Sequence, residues 1–497
     1  MIPLPLAAPT KWAKVIDQDK CIGCHACTVA CKSENEVPLS VTRTYVKAVD
    51  VGTFPQARRA LQVTRCNQCE DAPCVAACPT SAMFRRPDGI VDFNKSACIG
   101  CKACMAACPY DAIFINPQDH SAEKCNFCAH RIDMGLEPAC VVVCPVEAII
   151  VGDLNDPASK VAQIVNRDPV QVRRPEKGTR PKLFYKGAHQ ATLDPLAARR
   201  PEGGLYMWSE QPQSEQQVGS GEPSAWGGAN SSAAAMLAYD VSHKAPWDWR
   251  VGLYTWTKGL AAGVYLAGLM IGAWSTWPVI TPLISGVFLA LTGLVLVWDL
   301  EHPFRFHLIF LRPQWRSWLV RGAVIITLYA LVLAAHFLLG LANQVQATRQ
   351  LALLGVPLAV LTAVYTAYLF AQARARDLWQ SPLLAPHMLV QAVVLGMAVY
   401  VLMGAGQARY ALLVLSVLHL LLVLCEMTIG HPTAHAHVAV REMVRGRSAL
   451  SFWAGTALMS IAVLAPILGP VSAVAALAGL LLHEHAYVQA GQAVPLA

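Results

Sequence analysis

The 497 residues carry 39 Lys and Arg against 32 Asp and Glu, and 55% of them are hydrophobic while only 14% are charged. That length allows two or three domains, and charge divides them sharply: from residue 244 onward there are 14 basic and 7 acidic residues, leaving 25 of each before it. The positive excess belongs wholly to an apolar second half, so no nucleic-acid partner is expected.

The opening segment, MIPLPLAAPTKWAKVID, has no positively charged start and only a short apolar run broken by proline, so it does not read as a secretory signal. No arginine pair precedes residue 58, so no twin-arginine export signal is expected either.

Sixteen of the 17 cysteines then fall between residues 21 and 144, in four sets. They are Cys21, Cys24, Cys27 and Cys31; Cys66, Cys69, Cys74 and Cys78 with Pro79; Cys98, Cys101, Cys104 and Cys108 with Pro109; and Cys125, Cys128, Cys140 and Cys144 with Pro145. Three thiolates from one tight loop can wrap one corner of a 4Fe-4S cube, while the fourth, one helical turn on, points at a neighbouring cube. Four sets therefore predict four [4Fe-4S] clusters, with all sixteen cysteines as iron ligands and electron transfer as the role. Disulfides would not require a repeated grammar ending in C-x3-C-P, and zinc sites lack the trailing C-P. The first set has Lys32 where the others have proline.

Residues 1–185 are read as the four-cluster domain, 186–245 as a flexible linker and 246–497 as a membrane domain. Within the linker, 209–235 is rich in Ser, Gly, Gln and Ala with few anchoring apolar side chains, the composition of a tether. Beyond Trp249 eight apolar stretches approach the roughly 20 residues that span a bilayer. Their approximate limits are 252–274, 277–299, 317–341, 351–373, 385–405, 408–430, 451–469 and 470–487.

If the helices alternate from a cytoplasmic N-terminus, the inward loops hold Lys244, Arg250, Arg305, Arg312, Arg316, Arg321, Arg374, Arg376, Arg441, Arg445 and Arg447, and the outward loops only Arg349 and Arg409. This bias places both termini and the cluster domain in the cytoplasm, with the protein in the inner (cytoplasmic) membrane.

Polar residues within spans are expensive, so their depth is informative. Lys258, Asp299, His387 and Glu426, with Tyr254, Tyr365 and Tyr368, all fall toward the cytoplasmic side. Each alone suits interface chemistry: lysine snorkels, tyrosine joins the aromatic belt, and Asp299 can pair with Arg305. As a group they suit a quinone headgroup, which needs hydrogen-bond donors at two carbonyls and a proton route to water. Lys258 or His302 would donate, Tyr254 would orient the ring, and Asp299 or Glu426 would exchange the proton. His336 and His419 lie at unmatched depths, so haem is not expected. The tract His431-Pro-Thr-Ala-His435-Ala-His437 reads as a solvated loop.

The first 155 residues resemble the four-cluster electron-transfer subunit of molybdopterin oxidoreductases related to DMSO reductase, polysulfide reductase and formate dehydrogenase. The resemblance is carried by CIGCHACTVAC (21–31), CNQCEDAPCVAACPT (66–80), RRPDGIVDFNKSACIGCKACMAACPYDA (85–112) and KCNFCAHRIDMGLEPACVVVCP (124–145). It implies an α+β ferredoxin-like domain of tandem 2x[4Fe-4S] units in which paired sets exchange their last cysteine. The implied ligand sets are Cys21, Cys24, Cys27 and Cys144; Cys125, Cys128, Cys140 and Cys31; Cys66, Cys69, Cys74 and Cys108; and Cys98, Cys101, Cys104 and Cys78. It further implies that the pair formed by the first and fourth sets faces a molybdenum or tungsten catalytic subunit and that the other pair faces the membrane.

Residues 247–497 resemble the quinone-reacting anchor of polysulfide reductase, also named for a nitrite reductase membrane subunit, through WDWRVGLYTWTKGLAAGVYL (247–266), DLEHPFRF (299–306), SFWAGT (451–456) and YVQAGQAVPL (487–496). This implies an all-α polytopic domain of about eight transmembrane helices, generally without haem, in contact with lipid and quinone or quinol. No segment resembles a molybdopterin domain. The expected function is an electron-transfer and anchor subunit, quinone-reactive but not catalytic toward the complex's substrate. The alternative is a proton-translocating relay in a respiratory supercomplex without a dedicated molybdopterin partner, a difference that copurification decides.

Overall fold

Iron-binding cysteines must converge from separate loops, and the first part of the chain is accordingly built from short elements. The computed structural model describes residues 9–199, 217–218 and 235–497. The chain divides into two compact units, one running up to Pro246 together with Val494–Ala497 and one comprising Trp247–Ala493.

The first unit contains β1 (Trp12–Asp17), α1 (Ala26–Glu34), β2 (Thr44–Val51), β3 (Arg58–Arg65), α2 (Pro73–Ala77), β4 (Met83–Arg85), β5 (Val91–Phe93), α3 (Ala103–Ala107), β6 (Ile113–Ile115), β7 (Ala122–Lys124), α4 (Ala129–Ile132), α5 (Ala139–Val142), β8 (Ile149–Asp153), α6 (Lys160–Arg167), β9 (Val170–Gln171), β10 (Leu183–Lys186), α7 (Gln190–Leu193), β11 (Gln217–Val218), β12 (Ala235–Tyr239) and β13 (His243–Lys244). It is an α+β, ferredoxin-like arrangement. One sheet runs β8-β1-β10-β9, a second β12-β2-β3, and β4-β5 and β6-β7 are hairpins that follow the second and third cysteine sets. Ile16, Val46, Val63, Ile149, Leu183 and Tyr185 pack with Cys27 and Cys140 in one core. Met83, Val91, Ile113 and Tyr110 pack with Cys69, Cys74, Cys98 and Cys104 in another. Thiols and aliphatic side chains thus share two dry interiors, each beneath one pair of cysteine sets.

Within 186–245, α7, β12 and β13 are regular elements, and β12 pairs antiparallel with β2 from Ala235↔Val51 onward. The tether stretch 209–235 lies, apart from 217–218 and 235, outside the described residues.

The second unit is all-α: α8 (Trp249–Met270), α9 (Ala273–Thr276), α10 (Ile280–Trp298), α11 (Leu308–Leu311), α12 (Trp318–Leu341), α13 (Val345–Ala371), α14 (Leu384–Leu402), α15 (Gly406–Thr428), α16 (Ala434–Arg445), α17 (Ala449–Ala462), α18 (Ala465–Leu468) and α19 (Pro470–Ala493). Among the described residues six helices, α10, α12, α13, α14, α15 and α19, are long and apolar enough to cross a membrane. The other two predicted spans differ for physical reasons. α8 is 22 residues long but carries Tyr254, Thr255, Thr257 and Lys258, which lower its apolarity, and it packs against α10, α13, α14 and α19. The stretch 451–469 is broken between α17 and α18, where Pro466 in the first turn of α18 cannot extend the preceding hydrogen-bond ladder.

Small residues bring the inner helices together. A Cβ on Gly263 of α8 would lie 1.7 Å from the Ala392 carbonyl oxygen of α14, and one on Gly396 would lie 2.0 Å from the Gly263 carbonyl oxygen. Only glycine permits this approach, which is the small-residue packing expected where lipid removes the hydrophobic drive between helices. The expected solvated loop around His431–His437 is corrected: Ala434–Arg445 is a helix capped by the Thr433 side chain, and His435 is buried. The cap and the amphipathic pattern AHAHVAVREMVR favour that helix over a loop.

Candidate functional site

The cysteine loops turn on left-handed residues. Gly23 and Gly100 (φ 71° and 69°) sit between the first two cysteines of their sets, and His25 and Lys102 (φ 59° and 60°) stand immediately before α1 and α3. This geometry folds each loop around a point and turns backbone N–H groups toward sulfur. Gly100 N and Ala122 N each donate to Cys98 Sγ at 3.4 Å, Met83 N to Cys78 Sγ at 3.4 Å and Ala148 N to Cys144 Sγ at 3.2 Å.

The thiols meet across sequence sets. Cys21 lies in the field of Cys144 and Cys24, and Cys27 in that of Cys140, Cys21 and Cys144. Cys69 is surrounded by Cys66, Cys108 and Cys74, and Cys104 by Cys101, Cys78 and Cys98. One cavity is lined by Cys78, Cys98, Cys101 and Cys104, and another by Cys31, Cys125, Cys128 and Cys140. None of the seventeen cysteines forms a disulfide. Four thiols around a small cavity, one of them from a different loop, are a donor set that fits a 4Fe-4S cube.

Buried cations answer the negative charge such a site accumulates. Arg65 is fully buried, and its Nη1 donates to Cys140 Sγ at 3.0 Å, with Lys14 Nζ at 3.8 Å from the same sulfur. Burial alone would raise the Cys140 thiol, but Arg65 and Lys14 bring it down to about 7. Cys31, where burial is reinforced by Cys125 and Cys140, is pushed up to about 12. Lys124 favours the thiolate form of Cys66 and Cys74 against their burial.

In the membrane half, Lys258 is buried on α8, with Nζ donating to the Ala363 carbonyl at 2.9 Å and to Thr366 Oγ1 at 2.7 Å, and lying 4.9 Å from the Tyr365 ring centroid. The carboxylate acting on it is Glu484 of α19, a residue the sequence reading does not include. Tyr254, one turn before Lys258, lies among Tyr365, Thr366, Asp299 and Glu484. Asp299, at the end of α10, faces Arg250 at 3.9 Å. Glu426 stands one link away: its neighbour is the Tyr487 hydroxyl, and Tyr487 also faces Glu484. His302 is half-buried just before the short turn Pro303–Arg305.

Tyr254, Lys258 and Asp299 are thus brought together, and Glu484 completes their charges. The tripeptide His483-Glu484-His485 lies inside the predicted 470–487 span, so the rule that singles out Lys258 also points to it. His336 is engaged by Tyr265 Oη at 3.1 Å, whereas the partners of His419 are His387 and His483.

Residues 59–154 match the 4Fe-4S dicluster domain family, 12–33 a 4Fe-4S binding domain, and 239–495 the family described as polysulphide reductase, NrfD. The protein is similar to the B subunit of tetrathionate reductase from Salmonella typhimurium, 42% identical over 208 residues, or 40% of its own length and 80% of the relative. The B subunit of polysulfide reductase from Wolinella succinogenes is 43% identical over 177 residues, 35% of the present sequence and 93% of the relative. The arsenate respiratory reductase iron-sulfur subunit ArrB of Shewanella sp. is 38% identical over 219 residues, 34% and 94% respectively.

Proposed function

We propose, for a protein that belongs to the NrfD polysulphide reductase family over residues 239–495 and is similar to the iron–sulfur subunits of respiratory reductases through its cysteine-rich part, that its electron-transfer and membrane-anchor role links a molybdopterin catalytic partner to membrane quinone. Four clusters would be held by the exchanged sets Cys21, Cys24, Cys27 and Cys144; Cys125, Cys128, Cys140 and Cys31; Cys66, Cys69, Cys74 and Cys108; and Cys98, Cys101, Cys104 and Cys78. The single observation that carries this reading is the cavity where Cys78 joins Cys98, Cys101 and Cys104, a fourth thiol borrowed from another loop. A bound 4Fe-4S cluster supplies one-electron transfer at a potential set by charge and hydrogen bonds to sulfur. Arg65, Lys14 and Lys124 hold the thiolates in their charged form, and the N–H groups of Gly100, Ala122 and Met83 orient their lone pairs.

Quinone would react at the cytoplasmic end of the helices. There the Lys258 ammonium donates to one carbonyl, Tyr254 orients the ring, and Glu484 and Asp299 hold the protons that Glu426 passes on through Tyr487. His302 offers a second donor from its loop. The loop charges support an inner-membrane protein whose iron–sulfur unit and two termini face the cytoplasm.

The test is anaerobic purification from native membranes. A copurifying molybdopterin subunit is expected, together with iron–sulfur reduction on adding a quinol. Absence of such a partner, or a Lys258→Met variant whose clusters quinol still reduces at the unaltered rate, would refute the proposal.

A further inference from the structure

Three histidines to which the proposed function gives no role meet inside the membrane half. His387 lies in the first turn of α14, His419 in the middle of α15 and His483 on α19, exposed by only 3%, 1% and 3%. Ring centroids are 4.9 Å apart for His387 and His419, 5.0 Å for His419 and His483, and 5.5 Å for His387 and His483. One ring nitrogen from each lies within 4.8 Å of the other two, and His387 Nε2 is 2.9 Å from His419 Nδ1.

Placing three ionisable rings in a bilayer interior is expensive and marks a binding function. Two neutral imidazoles can share one proton across their contact, but a third ring gains nothing from that, and protonating any one sets it against its neighbours. A single cation satisfies one lone pair from all three.

We propose that His387, His419 and His483 form an intramembrane site for one divalent transition-metal ion of the zinc class, with the fourth coordination position open. Tetrahedral zinc with Zn–N of about 2.0–2.1 Å separates its nitrogens by about 3.3 Å. The 2.9 Å pair and the 4.8 Å limit bracket that spacing, so small side-chain rotations close the site. Imidazole ligands alone select zinc, copper or nickel over magnesium and calcium, which require oxygen. The rings touch one another and leave no slot for a porphyrin. Carboxyl groups stand nearby: Glu484 follows His483, and Tyr487, whose ring centroid is 6.4 Å from that of His483, faces Glu426. The ion would tie α14, α15 and α19 together beside the Lys258–Glu484 pair.

The experiment uses the full-length protein, purified anaerobically in detergent, washed with chelator and supplied with zinc chloride. Zinc content near one per polypeptide is expected, with X-ray absorption giving nitrogen neighbours at about 2.0–2.1 Å. His419→Ala and His483→Gln are each expected to lower zinc about tenfold or more while iron content, which reports assembled protein, stays constant. Zinc far below one per polypeptide in the unaltered protein would overturn the site, as would sulfur neighbours at about 2.3 Å, which would put the metal in the cysteine loops. The absorption measurement needs no variant, so the proposal remains open to refutation even where a substitution prevents assembly.

Discussion

Lys258→Met removes an ammonium that makes two hydrogen bonds, at 2.9 Å to Ala363 and 2.7 Å to Thr366, and that balances Glu484. A charged hydrogen bond contributes about 1.5–3 kcal/mol, and stripping one partner from a buried charge pair costs about 3–5 kcal/mol because the other is left uncompensated. For a unit of this size that lowers the unfolding midpoint by on the order of 10 °C. Glu484→Gln is expected to cost a similar amount. The double variant removes both charges, so it should recover about 2–3 kcal/mol of the summed losses. Helical circular dichroism during heating in detergent gives the four midpoints of the cycle. Additive losses would mean that the two side chains do not act on each other, and the charge balance assigned to the quinone region would fail.

Two further outcomes follow from the iron–sulfur unit. Arg65→Gln withdraws the buried guanidinium 3.0 Å from Cys140 Sγ, so the more negative reduced state loses support; a potentiometric EPR titration should show one cluster lowered on the order of 60 mV, about 1.4 kcal/mol for one electron, and unchanged potentials would contradict the role given to Arg65. His243 is buried between Asp111 at 2.6 Å and Asp240 at 3.3 Å, and against the effect of burial these carboxylates raise it to about 9. Its folded value exceeds the unfolded value of about 6.5, so its stabilisation, up to about 3 kcal/mol, is complete below pH of about 6.5 and is lost as pH rises through about 9. Cluster bleaching in denaturant at a series of pH values should accelerate across that window in the unaltered protein and stay flat in His243→Gln; equal slopes would contradict the assignment.

The iron–sulfur half was legible because thiol chemistry imposes spacing on sequence. The C-x2-C and C-x3-C intervals locate every cysteine that lines the two cavities, and the exchange of Cys78 and Cys31 between loops follows from the family resemblance. What spacing does not encode is long-range pairing: Arg65 at the end of β3 reaching Cys140, or β12 returning to β2. In the membrane half, apolar runs located the long helices, but α8 hid its burial behind threonines, tyrosines and a lysine. Lys258 and Asp299 stood out as isolated charges. Glu484 and His483 lie inside the predicted 470–487 span, where the depth rule marks them as costly but says nothing of what they face. Their partners come from packing, Lys258 on α8, His387 on α14 and His419 on α15, and helix contacts have no signature in one sequence.

The central claim is that sixteen cysteines hold four clusters, and iron and acid-labile sulfide content of the anaerobically purified protein tests it most directly. About sixteen of each per polypeptide are expected, falling by about four in Cys78→Ser with the loss falling on the cluster of Cys98, Cys101 and Cys104. About eight iron atoms in the unaltered protein, or a Cys78→Ser variant that loses the cluster of Cys66, Cys69 and Cys74 instead, would contradict it.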